Sequence, residues 1–401
     1  MCARDLSSGI TLLMAFCASA PTLADSYSFV KIAGVSGAPA FLSEEVAINN
    51  VGAVAFSRTG LNGVQTLYTG RGAALTKIAD TAGSNKFISG WDVNRNGVVA
   101  YHVDFDYDTV IPGIAATGVF TGNGTTNRLV AKSGGRIFSV GGAAINDKGQ
   151  VALNTATDPF GGVTTVVTRY PDRLIAVSPD ANLTAGDVNN QGVVAFSTFT
   201  VEDRMFIGSG GKPTVITETE GTNLLLFQSS PRINESGVVA FNARLDSGGV
   251  GIFTANNPGV RTIVDNVSGP FAGLGLGAPA INNRGVVAFE ANNFEFQAIY
   301  TGVDLIADRV IQTGDPLDGS TVLRLSTGSH GRYLNDAGQL AFWARLADGR
   351  LGIYRADPLS LNVAAVPEPS AFGLLIAVSV GLPPIVLHGR RSQRPPGRRP
   401  A

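Results

Sequence analysis

The sequence of 401 residues predicts an all-β fold, a seven-bladed β-propeller with four short strands in each blade. Three observations predict it. There are seven near copies of one nine-residue motif, and each period has two further strand-like segments. In addition, an N-terminal segment resembles the strand that is missing from the last copy. The clearest copy reads INNRGVVAF at residues 281–289, and the others begin at residues 48, 93, 145, 188, 233 and 334. The motif asparagines lie 43 to 53 residues apart, and a repeat in this range indicates an array of one supersecondary unit.

The centre of the motif predicts a tight turn between two antiparallel strands. An Asn at the first turn position accepts a hydrogen bond from its own backbone two residues on, and a Gly three residues later adopts a left-handed conformation without a Cβ clash. The flanking residues are apolar and often β-branched, as strands prefer. The alternative is that these asparagines bind a ligand, but seven identical side chains at turn tips are more simply seven identical turns. The predicted turn residues are Asn49 and Gly52, Asn94 and Gly97, Asn146 and Gly149, Asn189 and Gly192, Asn234 and Gly237, Asn282 and Gly285, and Asn335 and Gly338.

Each unit contains four predicted strands, which we label A to D. Strand A ends at the motif asparagine, and strand B begins after the motif glycine. Strand C is an apolar run ending in an aromatic residue and Thr or a variant, as in LYTG at 67–70. Strand D is a short β-branched run, as in LTKIAD at 75–80. Four short strands in about 48 residues match a propeller blade, so residues 25–358 are predicted to form seven of them.

The two ends of the repeat array predict that the propeller is closed by its first strand. The segment FVKIAG at 29–34 resembles a D strand and not an A strand. The last unit supplies A, B and C, at 333–335, 339–344 and 351–355, and then stops. A first strand that completes the last blade removes the exposed sheet edges of an open array, which favours a closed ring over an open solenoid.

Residues 1–24 have the features of a secretory signal peptide. Arg4 lies near the start, an apolar stretch runs from residue 9 to 18, and small residues follow. We expect cleavage after Ala24, with cleavage after Ala20 as the alternative. Cys2 and Cys17 are the two cysteines of the chain, so the exported protein has no thiol, disulfide or cysteine metal site.

The C-terminal region after the repeats has three distinct parts. Residues 359–366 are a predicted linker, and Pro367, Glu368 and Pro369 follow it. The apolar stretch 371–387 has just enough residues to cross a bilayer core as a helix. Arginines on one side only predict a cytoplasmic tail, and they oppose the alternative of a buried C-terminal helix. The tail arginines are Arg390, Arg391, Arg394, Arg398 and Arg399.

This arrangement resembles the PEP-CTERM sorting signal of Gram-negative bacteria, which an exosortase recognises and cuts. The resemblance covers about 35 residues and rests on VPEPS at 366–370, a single span and an arginine cluster; Pro383 and Pro384 inside the span depart from the pattern. The body is similar to the NxxGxxAF tandem-repeat proteins that often carry this signal. The resemblance implies export, transient anchoring in the inner membrane, processing near residues 367–369 by an exosortase-type protease, and release to the cell surface or extracellular matrix.

The net charge and the motifs give little indication of catalysis, metal binding or nucleic-acid binding. The chain has a net charge of −1, and the body without Arg4, Asp5, Glu368 and the five tail arginines carries −5, which disfavours nucleic acid as a partner. The three histidines, at 102, 330 and 388, do not have metal-ligand spacing. Asp104, Asp106 and Asp108 superficially suggest a calcium loop, but the Gly and Glu that such a loop needs are absent. We therefore predict no catalytic residue, no cofactor and no metal ligand.

Acidic residues recur at two places in the repeat. In six units the B–C connection carries acids, so one face of the propeller is predicted to be acidic, or else these are ordinary solvated loops. Glu44, Glu45, Asp92 and Asp187 precede the ends of A strands and are the candidates to point toward the axis, although the A strands are otherwise dominated by Gly, Ala, Ser and Pro. Trp91 and Trp343 lie beside the motifs and are predicted to pack between strands and not to bind a ligand. The B–C acids are Asp104, Asp106, Asp108, Asp158, Glu202, Asp203, Asp246, Glu295 and Asp348.

Two functions are consistent with these features. The first is a non-catalytic surface or matrix protein that uses the propeller as an interaction platform for extracellular polysaccharide or surface proteins. The second is an exported glycosidase or lyase acting on polysaccharide, which requires paired carboxylates at the axis. The scarcity of catalytic residues favours the first.

Overall fold

The computed structural model describes residues 27–36, 41–107, 115–135, 137–157, 165–171, 173–178, 182–199, 203–256, 259–275, 277–293, 295–329 and 332–359. All regular elements in these residues are β-strands, and they form seven antiparallel sheets. Each sheet corresponds to one repeat unit, with strands A, B, C and D in spatial order, so the fold is a seven-bladed β-propeller. The predicted fold class is confirmed.

Blades 1 to 4 have four uninterrupted strands each. Blade 1 contains β2 (Phe41–Ile48), β3 (Val54–Thr59), β4 (Gln65–Gly70) and β5 (Leu75–Asp80). Blade 2 contains β6 (Asn85–Val93), β7 (Val99–Tyr107), β8 (Ala115–Gly122) and β9 (Asn127–Lys132). Blade 3 contains β10 (Ser139–Ile145), β11 (Val151–Ala156), β12 (Thr165–Tyr170) and β13 (Arg173–Ser178). Blade 4 contains β14 (Asn182–Val188), β15 (Val194–Phe199), β16 (Arg204–Gly208) and β17 (Thr214–Glu218).

Blades 5 to 7 have an interrupted A strand. Blade 5 contains β18 (Leu224–Phe227) and β19 (Arg232–Ile233) as its A strand, then β20 (Val239–Leu245), β21 (Val250–Ala255) and β22 (Val260–Asp265). Blade 6 contains β23 (Gly273–Leu274) and β24 (Ala280–Ile281), then β25 (Val287–Asn292), β26 (Gln297–Tyr300) and β27 (Arg309–Gln312). Blade 7 contains β29 (Ser320–Ser326) as the first part of its A strand, with the short β28 (Pro316–Leu317) paired antiparallel to it as an extra edge strand, then β30 (Leu340–Leu346), β31 (Leu351–Pro358) and β1 (Tyr27–Val35).

The interruptions have a local cause in the sequence. Pro231 and Pro279 lie at the breaks of blades 5 and 6, and proline has no N–H to donate to a ladder. In blade 7 the break contains Gly328 at φ 74°. Beside the blade 7 motif, only the bridge between Leu334 and Leu340 continues the A strand, where the sequence predicted a strand at 333–335.

The predicted closure by the N-terminal strand is confirmed. β1 pairs antiparallel with β31 and occupies the D position of blade 7. In blade 1, Tyr68 of strand C lies opposite Lys77 of strand D, and the next D residue is skipped in a bulge. In blade 7, Tyr354 lies opposite Lys31, and the next residue, Ile32, is skipped in the same way and is buried. The seam therefore reproduces the C–D register of a continuous blade.

Packing between strands explains two further features that the motif copies share, the alanine and the final aromatic residue. The motif alanine, seventh from the asparagine, has no exposed surface in any of the seven blades. In six blades the last motif residue is aromatic and stacks on the aromatic residue of strand C, at ring-centroid distances of 5.1 to 6.1 Å. Each such pair contributes about 0.5–1.5 kcal/mol beyond its burial. Blade 3 has Leu153 and Thr168 at these positions instead.

Candidate functional site

The seven motif asparagines form a closed ring of hydrogen bonds, which we call the asparagine ring. Each side-chain Nδ2 donates to the backbone carbonyl of the motif asparagine in the next blade, and Asn335 donates to Asn49 to complete the circle. The seven N···O distances lie between 2.8 and 3.2 Å. The ring lies at the turn end of the A strands and ties every blade to both of its neighbours.

The same side chains also hold their own turns. In blade 6, Asn282 Oδ1 accepts hydrogen bonds from the N–H groups of Arg284 and Val286, both at 3.0 Å. The motif glycines all have φ between 77° and 81°. The predicted turn chemistry is therefore confirmed. The asparagines are only 2–4% exposed and their amides are engaged on both sides, so the alternative of ligand-binding asparagines has no support.

A second set of contacts joins the residues that follow the motif asparagines. In six of the seven blade junctions, the side chain at this position accepts the backbone N–H of its counterpart in the preceding blade, as Asp147 does from Arg95 at 2.8 Å. At the junction of blades 1 and 2 the position is occupied by Arg95, and a guanidinium has no acceptor. This ring of contacts is therefore interrupted at one junction, whereas the asparagine ring is complete.

Charged side chains occupy the A strands just before the asparagine ring. Asp92 and Asp187 occupy the same repeat position and are 2% and 1% exposed. In both residues, Oδ1 accepts the backbone N–H of the following residue at 2.8 Å, and Oδ2 accepts a backbone N–H from the neighbouring blade at 3.0 or 3.1 Å. Both carboxylates therefore stabilise the contact between adjacent A strands.

Two arginines complete this axial charge cluster. Arg332 extends from blade 7 across the axis and forms an ion pair with Asp187 in blade 4. Arg232 of blade 5 donates to the Gly186 carbonyl at 3.3 Å and is 4% exposed. Burial raises the pKa of Asp92, and the Arg332 charge opposes that shift. Burial also disfavours the charged form of Arg332, but the Asp187 and Asp92 carboxylates outweigh it and raise the pKa of that guanidinium.

A cavity of about 250 Å³ lies next to this cluster, between the A strands of blades 2 to 5. Half of its lining residues are glycine or alanine, which leave the space that larger side chains would fill. Its polar lining consists of Ser89, Asp92, His102, Thr184, Ser230 and Arg232. His102 Nε2 lies 2.9 Å from the Val140 carbonyl and so donates to it, and Nδ1 lies 3.4 Å from Ser89 Oγ.

Glu45 lies beside this cavity but is not one of its lining residues. Its Oε2 accepts the N–H of Gly90, a cavity-lining residue, at 3.2 Å. Its Oε1 is buried and has no hydrogen-bond partner among the residues that the structure describes. Burial raises the pKa of Glu45 to about 7, against the lowering effect of the nearby Gly90 and Trp91 N–H groups and of the Arg232 charge.

The other acidic residues singled out from the sequence have different surroundings. Glu44 forms a two-bond ion pair with Arg324, at 2.6 and 2.9 Å, and does not belong to the axial cluster. Asp203 is buried, 3% exposed, and its carboxylate accepts the Phe227 N–H, which does not fit the prediction of an exposed acidic residue. Asp246, Glu295 and Asp348 are exposed, and Asp104 lies 3.8 Å from His102. Asp108, Asp158, Glu202 and the Asp106 side chain lie outside the described residues.

Both tryptophans are packed in blade cores. Trp91 is 1% exposed and its Nε1 donates to the Ala55 carbonyl at 3.3 Å, although Trp91 also lines the axial cavity. Trp343 is 2% exposed, and Arg324 lies over its ring at 5.5 Å. Their predicted packing role is confirmed.

The predicted terminal segments lie outside the described residues. These are the signal peptide at 1–24 and the sorting segment at 367–401 with Pro367, Glu368, Pro369, Arg390 and Arg391. Within the part of the chain that the structure describes, no helix is long and apolar enough to cross a membrane. No group of three or more His, Cys, Asp or Glu in that same part is placed to hold a metal ion.

Sequence reasoning identified Asp92, Asp187 and Glu45 but missed the two arginines. Arg232 occupies the same repeat position as the two aspartates, two residues before the motif asparagine, so an alignment of the seven copies places it at the axis. Arg332 lies one residue earlier in its copy and has no such signal. Its partner Asp187 is 145 residues away in the chain.

Comparison with known proteins identifies the fold. A model described as a family of unknown function, DUF7453, matches residues 181–372. No match was found among curated proteins. Among solved structures, the chain is similar to the β-propeller domain of the Trilobed protease from Pyrococcus furiosus, which has an open velcro topology. The TM-score is 0.50 and the identity 10%, over 80% of this chain and 95% of that one.

Two further solved structures have a lower similarity. One is a PL25 ulvan lyase bound to a GlcA–Rha3S saccharide, with TM-score 0.45, 12% identity, and coverage of 80% of this chain and 95% of that one. The other is the WD40 β-propeller domain of Doa1, with TM-score 0.41, 11% identity, and coverage of 82% and 97%. At these identities the likeness shows the propeller fold alone.

Proposed function

We propose that this chain is an exported surface or matrix protein whose propeller binds extracellular polysaccharide or surface proteins without catalysing a reaction. The observation that carries the proposal is that the carboxylates of the two axial aspartates are fully hydrogen-bonded. Each of their four oxygens accepts a backbone N–H, and Asp187 also pairs with Arg332. A hydrolase needs one carboxyl group to protonate the leaving group and a second to attack or to activate water. Asp92 and Asp187 are committed to holding the A strands together.

The proposal of export rests on the two ends of the sequence. The signal-like residues 1–24 and the PEP-CTERM-like residues 367–401 support secretion followed by cleavage by an exosortase-type protease. The two cysteines lie in the first of these segments, so the exported propeller is stabilised by its ring of blades and not by disulfides. The body charge of −5 supports polysaccharide or protein partners over nucleic acid.

The alternative function is a propeller glycosidase or lyase, and one observation favours it. Glu45 lies beside the axial cavity with a buried carboxylate whose pKa is raised to about 7 by burial. A carboxyl group with such a pKa is suited to proton transfer near neutral pH. The other two axial carboxylates, those of Asp92 and Asp187, already accept backbone N–H groups with all four of their oxygens.

The experiment exposes purified protein, residues 25–366, to a panel of neutral, uronic-acid-containing and sulfated polysaccharides. Binding is measured by affinity electrophoresis, and turnover by the release of reducing ends and of unsaturated products. Binding without turnover supports the proposal. Turnover that is lost in Glu45→Gln establishes the alternative instead.

A further inference from the structure

The side of the propeller that carries the asparagine ring is also the side where the chain enters and leaves the blades. Neighbouring strands of a blade are antiparallel, so strands A and C end, and strands B and D begin, on this side. We call it the asparagine face; it consists of the A–B turns, the C–D connections and the first two residues of each D strand. Tyr27, the first residue of β1, pairs here with Pro358, the last residue of β31. The described chain ends at the next residue, Leu359.

The exposed charges of the asparagine face are almost all positive. Eight Lys or Arg side chains on it are exposed, whereas Asp304 is the one exposed acid among its described residues. The other described acids of the face, Asp147, Glu235, Asp308 and Asp336, are partly buried, and each accepts a backbone N–H. The face is therefore positive, although the body carries a net charge of −5. The exposed bases are Arg71, Arg95, Arg128, Lys148, Arg173, Lys212, Arg261 and Arg284.

One C–D connection of this face exposes a group of apolar side chains. In blade 6, Val303, Leu305 and Ile306 are 49%, 41% and 65% exposed, and no other four consecutive described residues expose three large apolar side chains. Asp304 holds the loop in place, because its Oδ1 accepts two backbone N–H groups of the loop at 2.8 Å. Leu359, at the end of the neighbouring blade 7, is also exposed. A fixed loop that keeps three aliphatic side chains in water indicates a surface that an apolar partner covers.

A lipid surface fits this combination of side chains better than a polysaccharide. Aliphatic side chains enter the boundary between headgroups and acyl chains, and nearby Lys and Arg side chains are attracted to anionic lipids. Sugar rings usually stack on aromatic side chains. The two exposed phenylalanines, Phe41 and Phe87, lie near the beginnings of A strands, on the opposite side of the propeller.

The length of chain after the propeller also favours a lipid surface. The predicted membrane span at 371–387 begins twelve residues after Leu359. Twelve residues reach at most about 40 Å when fully extended, so a bilayer that holds this span lies within that distance of Leu359. This step rests on the membrane anchoring that the sequence predicts for the exported protein.

We propose that the asparagine face binds an anionic lipid bilayer, with the blade 6 loop among the headgroups and the exposed bases on the lipid phosphates. The contact goes beyond the proposed function, because it is made by the propeller itself and not by the sorting segment. It also directs the opposite side, with its B–C and D–A loops, away from the membrane and toward a polysaccharide or protein partner.

The test measures binding of residues 25–366 to lipid vesicles by flotation. Every strand of the seven sheets lies within residues 27–358, so this form keeps the whole propeller and lacks the predicted span. One set of vesicles contains equal parts of phosphatidylglycerol and phosphatidylcholine, and the other contains phosphatidylcholine alone. We expect binding to the anionic vesicles to be at least about tenfold tighter than to the neutral ones, and to weaken as the salt concentration rises.

Two double variants locate the contact on the asparagine face. Arg261→Gln combined with Arg284→Gln removes exposed bases from blades 5 and 6 and should weaken binding to the anionic vesicles about tenfold or more. Leu305→Ser combined with Ile306→Ser removes the apolar side chains of the loop and should weaken binding by a similar factor. Circular dichroism checks that each variant is folded.

Two matched controls lie on the opposite side of the propeller. Arg244→Gln combined with Arg345→Gln removes the same charge from exposed positions near the ends of B strands, and this variant should bind like the parent. Ile306→Trp reports the contact directly, since its fluorescence should shift to shorter wavelength when anionic vesicles are added. Leu61→Trp, at an exposed position in the B–C connection of blade 1, should show no such shift.

The outcomes separate this inference from the proposed function. Vesicle binding that survives both asparagine-face variants, or that is equally tight for neutral vesicles, overturns the inference. Absence of vesicle binding also overturns it; if the Arg261→Gln and Arg284→Gln variant then loses binding of an acidic polysaccharide, the bases serve the proposed function instead. Vesicle binding that both variants weaken, with no polysaccharide or surface protein bound, supports the inference and overturns the proposed function.

Discussion

Replacement of a single ring asparagine by aspartate distinguishes a ring from a set of independent turns. Asn282 is 3% exposed; its Oδ1 accepts two N–H groups of its own turn, and its Nδ2 donates to the Asn335 carbonyl at 3.1 Å. Asn282→Asp keeps the acceptor and removes the donor. Aspartate forms the same turn as asparagine, so turn chemistry alone predicts that the free energy of unfolding changes by at most about 0.5 kcal/mol.

If the asparagine ring stabilises the fold, the loss of stability should be much larger. At pH 8 the variant loses one hydrogen bond, worth about 1 kcal/mol, and places a buried carboxylate against a carbonyl oxygen. Together these should lower the free energy of unfolding by about 2–4 kcal/mol. Asn282→Ala, which removes all three side-chain hydrogen bonds without introducing a charge, should cost a similar amount and serves as the reference.

The pH dependence of this variant has a defined sign. Burial and the facing carbonyl raise the pKa of the introduced carboxyl in the folded state above its unfolded value of about 3.9. The protonated carboxyl donates to the Asn335 carbonyl, so this stabilisation is complete below the unfolded pKa and is lost as the pH rises through the folded pKa. The deficit relative to the parent should therefore be smaller at pH 4 than at pH 8. Urea denaturation at both pH values measures it, and an Asn282→Asp protein as stable as the parent at pH 8 would refute the ring as a source of stability.

Four further predictions follow from the fold and from the ends of the chain. Gly285 has φ 79° and open space on the side where a Cβ would lie, so Gly285→Val should cost about 1–3 kcal/mol through backbone strain, whereas Gly285→Asn should cost less than about 1 kcal/mol; equal unfolding midpoints for the two variants would contradict the turn type. Deletion of residues 27–35 exposes the edge of blade 7 and should destabilise the whole propeller in a thermal melt, and an unchanged melting temperature would count against closure by β1. The pKa of Glu45 is raised to about 7, so its stabilising contribution is full below about pH 4.5 and declines as the pH rises through 7; Glu45→Gln should remove about 2–3 kcal/mol of pH dependence between pH 5 and 8, and parallel pH profiles of parent and variant would exclude this. Intact-mass measurement of protein from the native cell surface or medium should show a chain ending near residues 366–370, and a chain that still extends to Ala401 would identify the C-terminal segment as a permanent anchor.

The sequence predicted the blades because their signals are local. Each turn lies within four residues of its asparagine, and each strand follows from a short run of apolar residues. The asparagine ring depends on contacts between residues 43 to 53 positions apart, together with the closing contact from Asn335 to Asn49, which local patterns do not encode. One signal was nevertheless present. Aspartate suits such a turn as well as asparagine, so the use of asparagine in all seven copies indicates that the side-chain donor is needed.

The axial site was predicted only in part for a similar reason. Asp92 and Asp187 were visible because their position repeats, but the ion pair of Asp187 with Arg332 depends on a side chain that crosses the closed ring. The interrupted A strands were also missed, although Pro231 and Pro279 precede the motifs of their units and prevent a continuous ladder there.

Two nearby positions at the turn end of the A strands are subject to different physical requirements, and this difference bears on function. At the turn end, each asparagine must donate to the next blade, so a substitution in one copy opens the whole ring. Two residues earlier no such rule applies, and the seven positions hold three alanines, two aspartates, one arginine and one tyrosine. Closure of the propeller does not require that variety, since blades 1, 3 and 6 are joined to their neighbours with alanine there. The variation produces an off-centre cavity with unequal charges on its walls, and a site that binds a ligand with no sevenfold symmetry must have that asymmetry.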